Sequence, residues 1–263
     1  MFFYYMKAFN LTYWQKYAII IFNKILGVYM NIFIYGDSNT SGLMPASTNY
    51  VQGADQFMYP AYECWWSALE NKHKLYISGV CGRSINCEHP HKPFCVASQT
   101  INFDISGNEN ADLVILQLGK NDCKTMYNQT AEQITEQMHV LVEKIRAVTP
   151  AKIMLISPAK FDTTKNIAKK YYSDGEQKSV ELDKCYRQLA NEIDAYFVSG
   201  LDIPVGIDGE HFTKEGHKQL GQKVLEKVSQ IEKNPTLPAQ KINEKRTLDE
   251  EKARAQSIFE RMR

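Results

Sequence analysis

The sequence predicts an α/β protein, a three-layer α/β/α sandwich around a parallel sheet of about five strands. Short apolar runs recur along the chain, and longer segments with helix-start signals lie between them. Hairpin signals are missing between the apolar runs, so the strands are expected to run parallel, with helices on both faces of the sheet.

The first run is Ile32-Phe33-Ile34-Tyr35, read as a short buried strand that begins right after Met30. Tyr59 to Asn71 is expected to be a helix, and Lys74 to Ser78 a second strand. Leu113-Val114-Ile115-Leu116 marks a buried strand over Ala111 to Leu118. Thr130-Ala131-Glu132-Gln133 is a capping box that opens a helix to about Val148, where Pro150 prevents continuation. Ile153 to Ile156 is the next strand. Ser173-Asp174-Gly175-Glu176 reads as a second capping box, opening a helix to about Ala195. Tyr196 to Val198 is a short strand, and Thr213 to about Lys233 the last helix.

This core, residues 30–233, is flanked by two segments of different character. Residues 1–29 carry the apolar centre Tyr17 to Phe22 between Lys16 and Lys24, far short of the ~20 apolar residues of a spanning helix. They are expected to be a translated extension ahead of a start at Met30, with an amphipathic surface anchor or a poor export signal as alternatives. Residues 234–263 follow Pro235 and Pro238, and from Lys241 on they are rich in Lys, Arg and Glu, a solvated helix or disordered tail.

The chain has 263 residues, which suits one large domain or one and a half, with ample length for a core, and its 44% hydrophobic content is that of a soluble globular protein. A net charge of +1 gives no reason to expect nucleic acid or an anionic membrane as partner. Six cysteines, two of them in helical patterns, read as reduced thiols, hence a cytoplasmic setting.

Four pieces carry candidate chemistry, each at or after the carboxyl end of an expected strand, where open α/β sheets place their ligands. Ser38 stands in Gly36-Asp37-Ser38-Asn39-Thr40, straight after the first strand, as a candidate nucleophile. Gly82, past the second strand, offers a backbone N–H, and Asn121 in Gly119-Lys120-Asn121-Asp122 a side-chain amide, for a developing oxyanion. Asp208-Gly209-Glu210-His211 precedes the last helix, and its three-residue spacing lets the Asp208 carboxylate accept from Nδ1–H of His211. Nε2 is then left to take a proton from serine. Each piece alone is ordinary turn or cap chemistry; their order along the chain is what gives them weight.

These four blocks resemble those of the GDSL or SGNH hydrolase superfamily. Gly175-Glu176-Gln177-Lys178, Glu181-Leu182 and Asp208-Gly209-Glu210-His211-Phe212-Thr213 are similar to its bacterial arylesterase and acyltransferase branch. The resemblance covers about Met30 to Ile231 and implies a flavodoxin-like sheet. It implies a carboxylic ester hydrolase acting on small or aryl esters, with acyl transfer to other acceptors in some members and homo-oligomers in others. It assigns Ser38 as nucleophile, His211 as base and Asp208 as its partner. The N–H groups of Ser38 and Gly82, with the Asn121 amide, form the oxyanion hole. Asp37 and Asp122 brace their loops, and neither cofactor nor metal is called for. The Gly-x-Ser-x-Gly elbow of the α/β-hydrolases is absent from the sequence.

Two rival readings stay open. Cys81, Cys87, His89, His91 and Cys95 could hold a structural zinc or act in a redox module, although their spacing is not that of a standard finger. A non-catalytic binding protein on an esterase fold is the other.

Overall fold

A computed structural model of the chain describes residues 29–46, 58–92, 94–236, 238–239 and 242–243. Five parallel strands form one sheet in the order β2-β1-β3-β4-β5: β1 Asn31–Gly36, β2 Lys74–Gly79, β3 Leu113–Gln117, β4 Lys152–Ile156 and β5 Tyr196–Val198. The chain leaves β1 for β2 on one side and returns to β3 on the other. The sheet therefore has its topological switch point between β1 and β3, where such folds keep their binding crevice.

Helices cover both faces, as expected from strands that are apolar on both sides. On one face lie α3 (Ala97–Asp104), α4 (Ala131–Arg146) and α6 (Gly175–Glu192). They bury Ile101, Ile134, Met138, Leu141 and Leu182 against Phe33, Val114, Leu116 and Leu155. On the other face, α2 (Ser67–Glu70) and α7 (Lys214–Lys233) bury Leu69, Leu220, Val224 and Val228 against Ile32, Ile34, Ile115 and Met154. Alternate residues of each strand enter alternate cores, the period of two that a pleated strand imposes. Two short helices, α1 (Ser38–Ser41) and α5 (Asn166–Tyr171), belong to the loops at the carboxyl edge.

The Thr130 capping box forms as expected, with Thr130 accepting from the Gln133 N–H and the Gln133 side chain accepting from the Thr130 N–H. The second does not. Asp174 is the N-cap residue of α6 but makes no side-chain cap; its carboxylate pairs instead with Lys178, 2.8 Å away. That helix ends at Glu192, short of the expected Ala195. The helix expected over Tyr59 to Asn71 is broken into a 3-10 turn, Ala61–Glu63, and the four-residue α2. Two successive tryptophans stand at the break. Trp65 and Trp66 are both buried, and the Trp66 indole N–H reaches out of the segment to the Thr40 carbonyl at 2.9 Å. Helices α3 and α5 fall in stretches where the sequence marks no helix.

The chain beyond α7 also departs from expectation. Ala239 and Ile242 are buried against the second core, and the Phe197 N–H of edge strand β5 donates to Asn243 Oδ1 at 3.1 Å. An edge strand has backbone groups to satisfy, and this segment satisfies them. Residues 1–28 of the expected extension, and the tail from Glu244, lie outside the described residues. Among the described residues no helix is long and apolar enough to cross a membrane.

Candidate active site

The register sets Gly36 level with Gly79 of β2 and Gln117 of β3, so the turns after three strands open on one edge. Gly36 is required there by close approach. A Cβ at this position would run into the Thr40 side chain and the Gln117 carbonyl. The chain then turns into α1, capped by Asp37, whose Oδ1 accepts from the Asn39 N–H at 2.8 Å. Ser38 is the first residue of that short helix and is 2% exposed.

The structure brings Ser38, His211 and Asp208 together. Ser38 Oγ lies 2.9 Å from His211 Nε2, and His211 Nδ1 lies 2.7 Å from Asp208 Oδ2. Asp208 also accepts from the backbone N–H groups of Ala46, Glu210 and His211 at 2.8, 3.1 and 3.1 Å. Burial alone would push its carboxyl up; the His211 hydrogen bond and charge, with these N–H groups, outweigh that and hold it at about 2. An ionised Asp208 only accepts, so Nδ1 carries the imidazole proton and Nε2 is free to accept from the serine hydroxyl. Asn39 fixes the distance between the two turns, accepting from the Phe212 N–H at 3.0 Å and donating to the Glu210 carbonyl at 3.3 Å.

Asn121 reaches the turn that holds Gly82. Gly82 has φ +87°, a left-handed conformation that glycine adopts without strain. Asn121 Nδ2 donates to the carbonyl of the next residue, Arg83, at 3.0 Å, which uses one of its two N–H bonds. Among the described residues no hydrogen bond engages the N–H of Ser38 or of Gly82. Asp122 accepts from the Ile85 N–H at 2.8 and 3.0 Å and pins the chain after this turn, while burial pushes its carboxyl up to about 6. Arg83 stacks on the Tyr35 ring at 4.0 Å and donates to the Gly36 carbonyl at 3.2 Å, tying the Gly82 turn to the end of β1.

Lys120, Glu210 and Tyr172 were not singled out by the sequence. Lys120 Nζ donates to Ser38 Oγ at 2.8 Å and to Glu210 Oε2 at 3.1 Å, and lies 3.1 Å from His211 Nε2. The Tyr172 hydroxyl donates to the same Glu210 oxygen at 2.9 Å. Burial works to strip the Lys120 proton, yet Glu210, Asp37 and Asp208 outweigh it and raise the ammonium's pKa. Burial likewise pushes the Glu210 carboxyl up, and Lys120 and His211 bring it down to about 2. The signal available in the sequence was two opposite charges, each beside a residue already chosen.

The Cys/His loop does not converge. Cys81 Sγ sits 3.4 Å from Ser41 Oγ, Cys87 is buried, and the His89 and His91 rings lie 5.8 Å apart. Among the described residues no group of three His, Cys, Asp or Glu side chains could hold a metal ion. Hence the zinc reading finds no supporting geometry there.

The GDSL-like lipase/acylhydrolase family is matched over residues 32–224. An aryl esterase from M. smegmatis superposes with a TM-score of 0.68 at 26% identity, covering 76% of this chain and 98% of that one. Est24, a carbohydrate acetylesterase from Sinorhizobium meliloti, gives 0.68 at 23% identity over 76% and 98%. A lipase/acylhydrolase from Enterococcus faecalis gives 0.56 at 17% identity over 78% and 96%. No curated protein matches the chain. With most of its length matched, the chain belongs to the GDSL-like lipase/acylhydrolase family, and so to the hydrolases of ester substrates.

Proposed function

We infer that the protein is a serine esterase of the arylesterase and acetylesterase kind, cleaving small carboxylic esters through Ser38, His211 and Asp208. The observation that carries this is the unbroken line of hydrogen bonds Ser38 Oγ to His211 Nε2 and His211 Nδ1 to Asp208 Oδ2, at 2.9 and 2.7 Å. The likeness to an aryl esterase and to a carbohydrate acetylesterase supports a small acyl group.

In the first half-reaction the Ser38 hydroxyl proton passes to His211 Nε2 as Oγ bonds to the ester carbon. The carbonyl π pair moves onto oxygen, where the N–H groups of Ser38 and Gly82 and the second N–H of Asn121 receive it. The bond to the alcohol oxygen then breaks, and that oxygen takes the proton from Nε2. Water repeats the sequence on the acyl-serine and restores the hydroxyl; an alcohol in place of water gives acyl transfer. Asp208 holds the tautomer and stabilises the imidazolium. Pro45, which packs against Gly206 beside the histidine turn, and Leu43 supply apolar surface near the serine.

Turnover of p-nitrophenyl acetate and labelling of Ser38 by a fluorophosphonate test the assignment. Ser38→Ala is expected to abolish both; turnover that survives it ends the reading. A chain-length series run with and without added alcohol then measures the acyl preference and the partition between hydrolysis and transfer.

A further inference from the structure

The triad leaves a buried cation without a task. Lys120 is 3% exposed, and its ammonium faces three acceptors inside the site: Ser38 Oγ at 2.8 Å, Glu210 Oε2 at 3.1 Å and His211 Nε2 at 3.1 Å. Taking an ammonium and a carboxylate out of water is costly, and an apolar pair would fill the same space without that cost. A cation in contact with the nucleophilic oxygen sits where negative charge grows as the hydroxyl proton departs.

We propose that Lys120 is a catalytic residue, a fixed ammonium that hydrogen-bonds the Ser38 oxygen while its proton passes to His211, with Glu210 and Tyr172 as the positioning residues that hold it there. This rests on the serine-esterase reading. In the step, the Oγ–H bond breaks, its proton goes to Nε2, and the freed pair on Oγ forms the bond to the acyl carbon. Lys120 keeps its own protons throughout. The charge-assisted N–H···O contact strengthens as Oγ becomes more negative.

Both the Ser38 O–H and a Lys120 N–H point at His211 Nε2, from 2.9 and 3.1 Å, so the ammonium borders the path that the serine proton takes.

The test measures fluorophosphonate labelling of Ser38 and p-nitrophenyl acetate turnover on the full chain. The proteins compared are the wild type, Lys120→Met, Glu210→Gln and the double variant, which leaves no stranded buried charge. Lys120→Met is expected to label roughly 10–100-fold more slowly, with kcat lowered and KM little changed. Glu210→Gln, which loosens the hold on the ammonium, also lowers kcat with KM little changed. In the double variant the slow labelling remains. A double variant that labels and turns over at the wild-type rate overturns the proposal and leaves the pair as packing. So does Lys120→Met labelling at the wild-type rate when wild-type Ser38 is labelled. A wild type that is not labelled at Ser38 fails earlier, at the esterase reading itself.

Discussion

Asp208→Asn replaces one carboxylate oxygen by an amide NH2, and the surroundings of Asp208 offer that group no acceptor. One oxygen faces His211 Nδ1–H and the Ala46 N–H; the other faces the N–H groups of Glu210 and His211. If the new NH2 is turned toward the backbone pair, two buried N–H groups lose their acceptor, at about 1–3 kcal/mol each. If it is turned toward the ring, the imidazole relieves one clash by moving its proton from Nδ1 to Nε2, which strands the Ala46 N–H and turns Nε2–H toward the Lys120 ammonium 3.1 Å away. In either arrangement the imidazolium loses its counter-charge, and in the second Nε2–H cannot accept from Ser38. A wrong tautomer costs on the order of 10⁴ in kcat. Steady-state hydrolysis of p-nitrophenyl acetate measures the rate, and a thermal melt reads the stability. A folded variant that keeps a tenth of the wild-type kcat refutes the reasoning, because it shows that proton transfer does not pass through this imidazole.

Asn121→Ala removes one oxyanion donor and is expected to lower kcat by roughly 10²–10³; an unchanged kcat in the same assay contradicts its place in the hole. Gly36→Ala forces a methyl group into Thr40, whose hydroxyl is held by Gln117 at 2.8 Å. It should cost about 1–3 kcal/mol, read as a lower melting temperature together with lost activity. Stability should fall on acidification in two stages, followed by urea titration. Burial holds His217 at about 4, below the ordinary 6.5, so the unfolded chain takes its proton first and stability drops between those values; Asp122, raised to about 6, offsets part of this. Asp208 and Glu210, lowered to about 2 from 3.8 and 4.5, contribute stability that is fully present above those ordinary values and is lost as pH falls toward 2. Stability that is flat below pH 4.5 would contradict those two carboxylates.

What the sequence disclosed tracks how local each signal is. The run Leu113 to Leu116 could only be a buried strand, and Thr130 with Gln133 announces its helix within four residues. The spacing of Asp208 and His211 is likewise a local constraint, and the structure places their side chains 2.7 Å apart. By contrast, Val96 before α3 and Lys165 before α5 make no side-chain cap, so neither helix start carried a mark. At the break, the Trp66 indole N–H is bonded to a carbonyl of Thr40, 26 residues away, and no local rule announces that contact. Lys120 and Glu210 are the sharpest case. They are 90 residues apart, each reads as a charge on a surface turn, and only closure of the sheet edge brings them into contact.

Asn243 closes the open side of β5 by accepting from Phe197 and donating to the Ala195 carbonyl at 3.0 Å. A shortened chain that stops at Lys233 would keep every residue of the site and yet bare the Phe197 N–H and the Ala195 carbonyl, a place where a second molecule could add its own strand. Self-association of such a fragment would then arise at the sheet margin, remote from the serine, and would say nothing about the oligomeric habit of the intact protein.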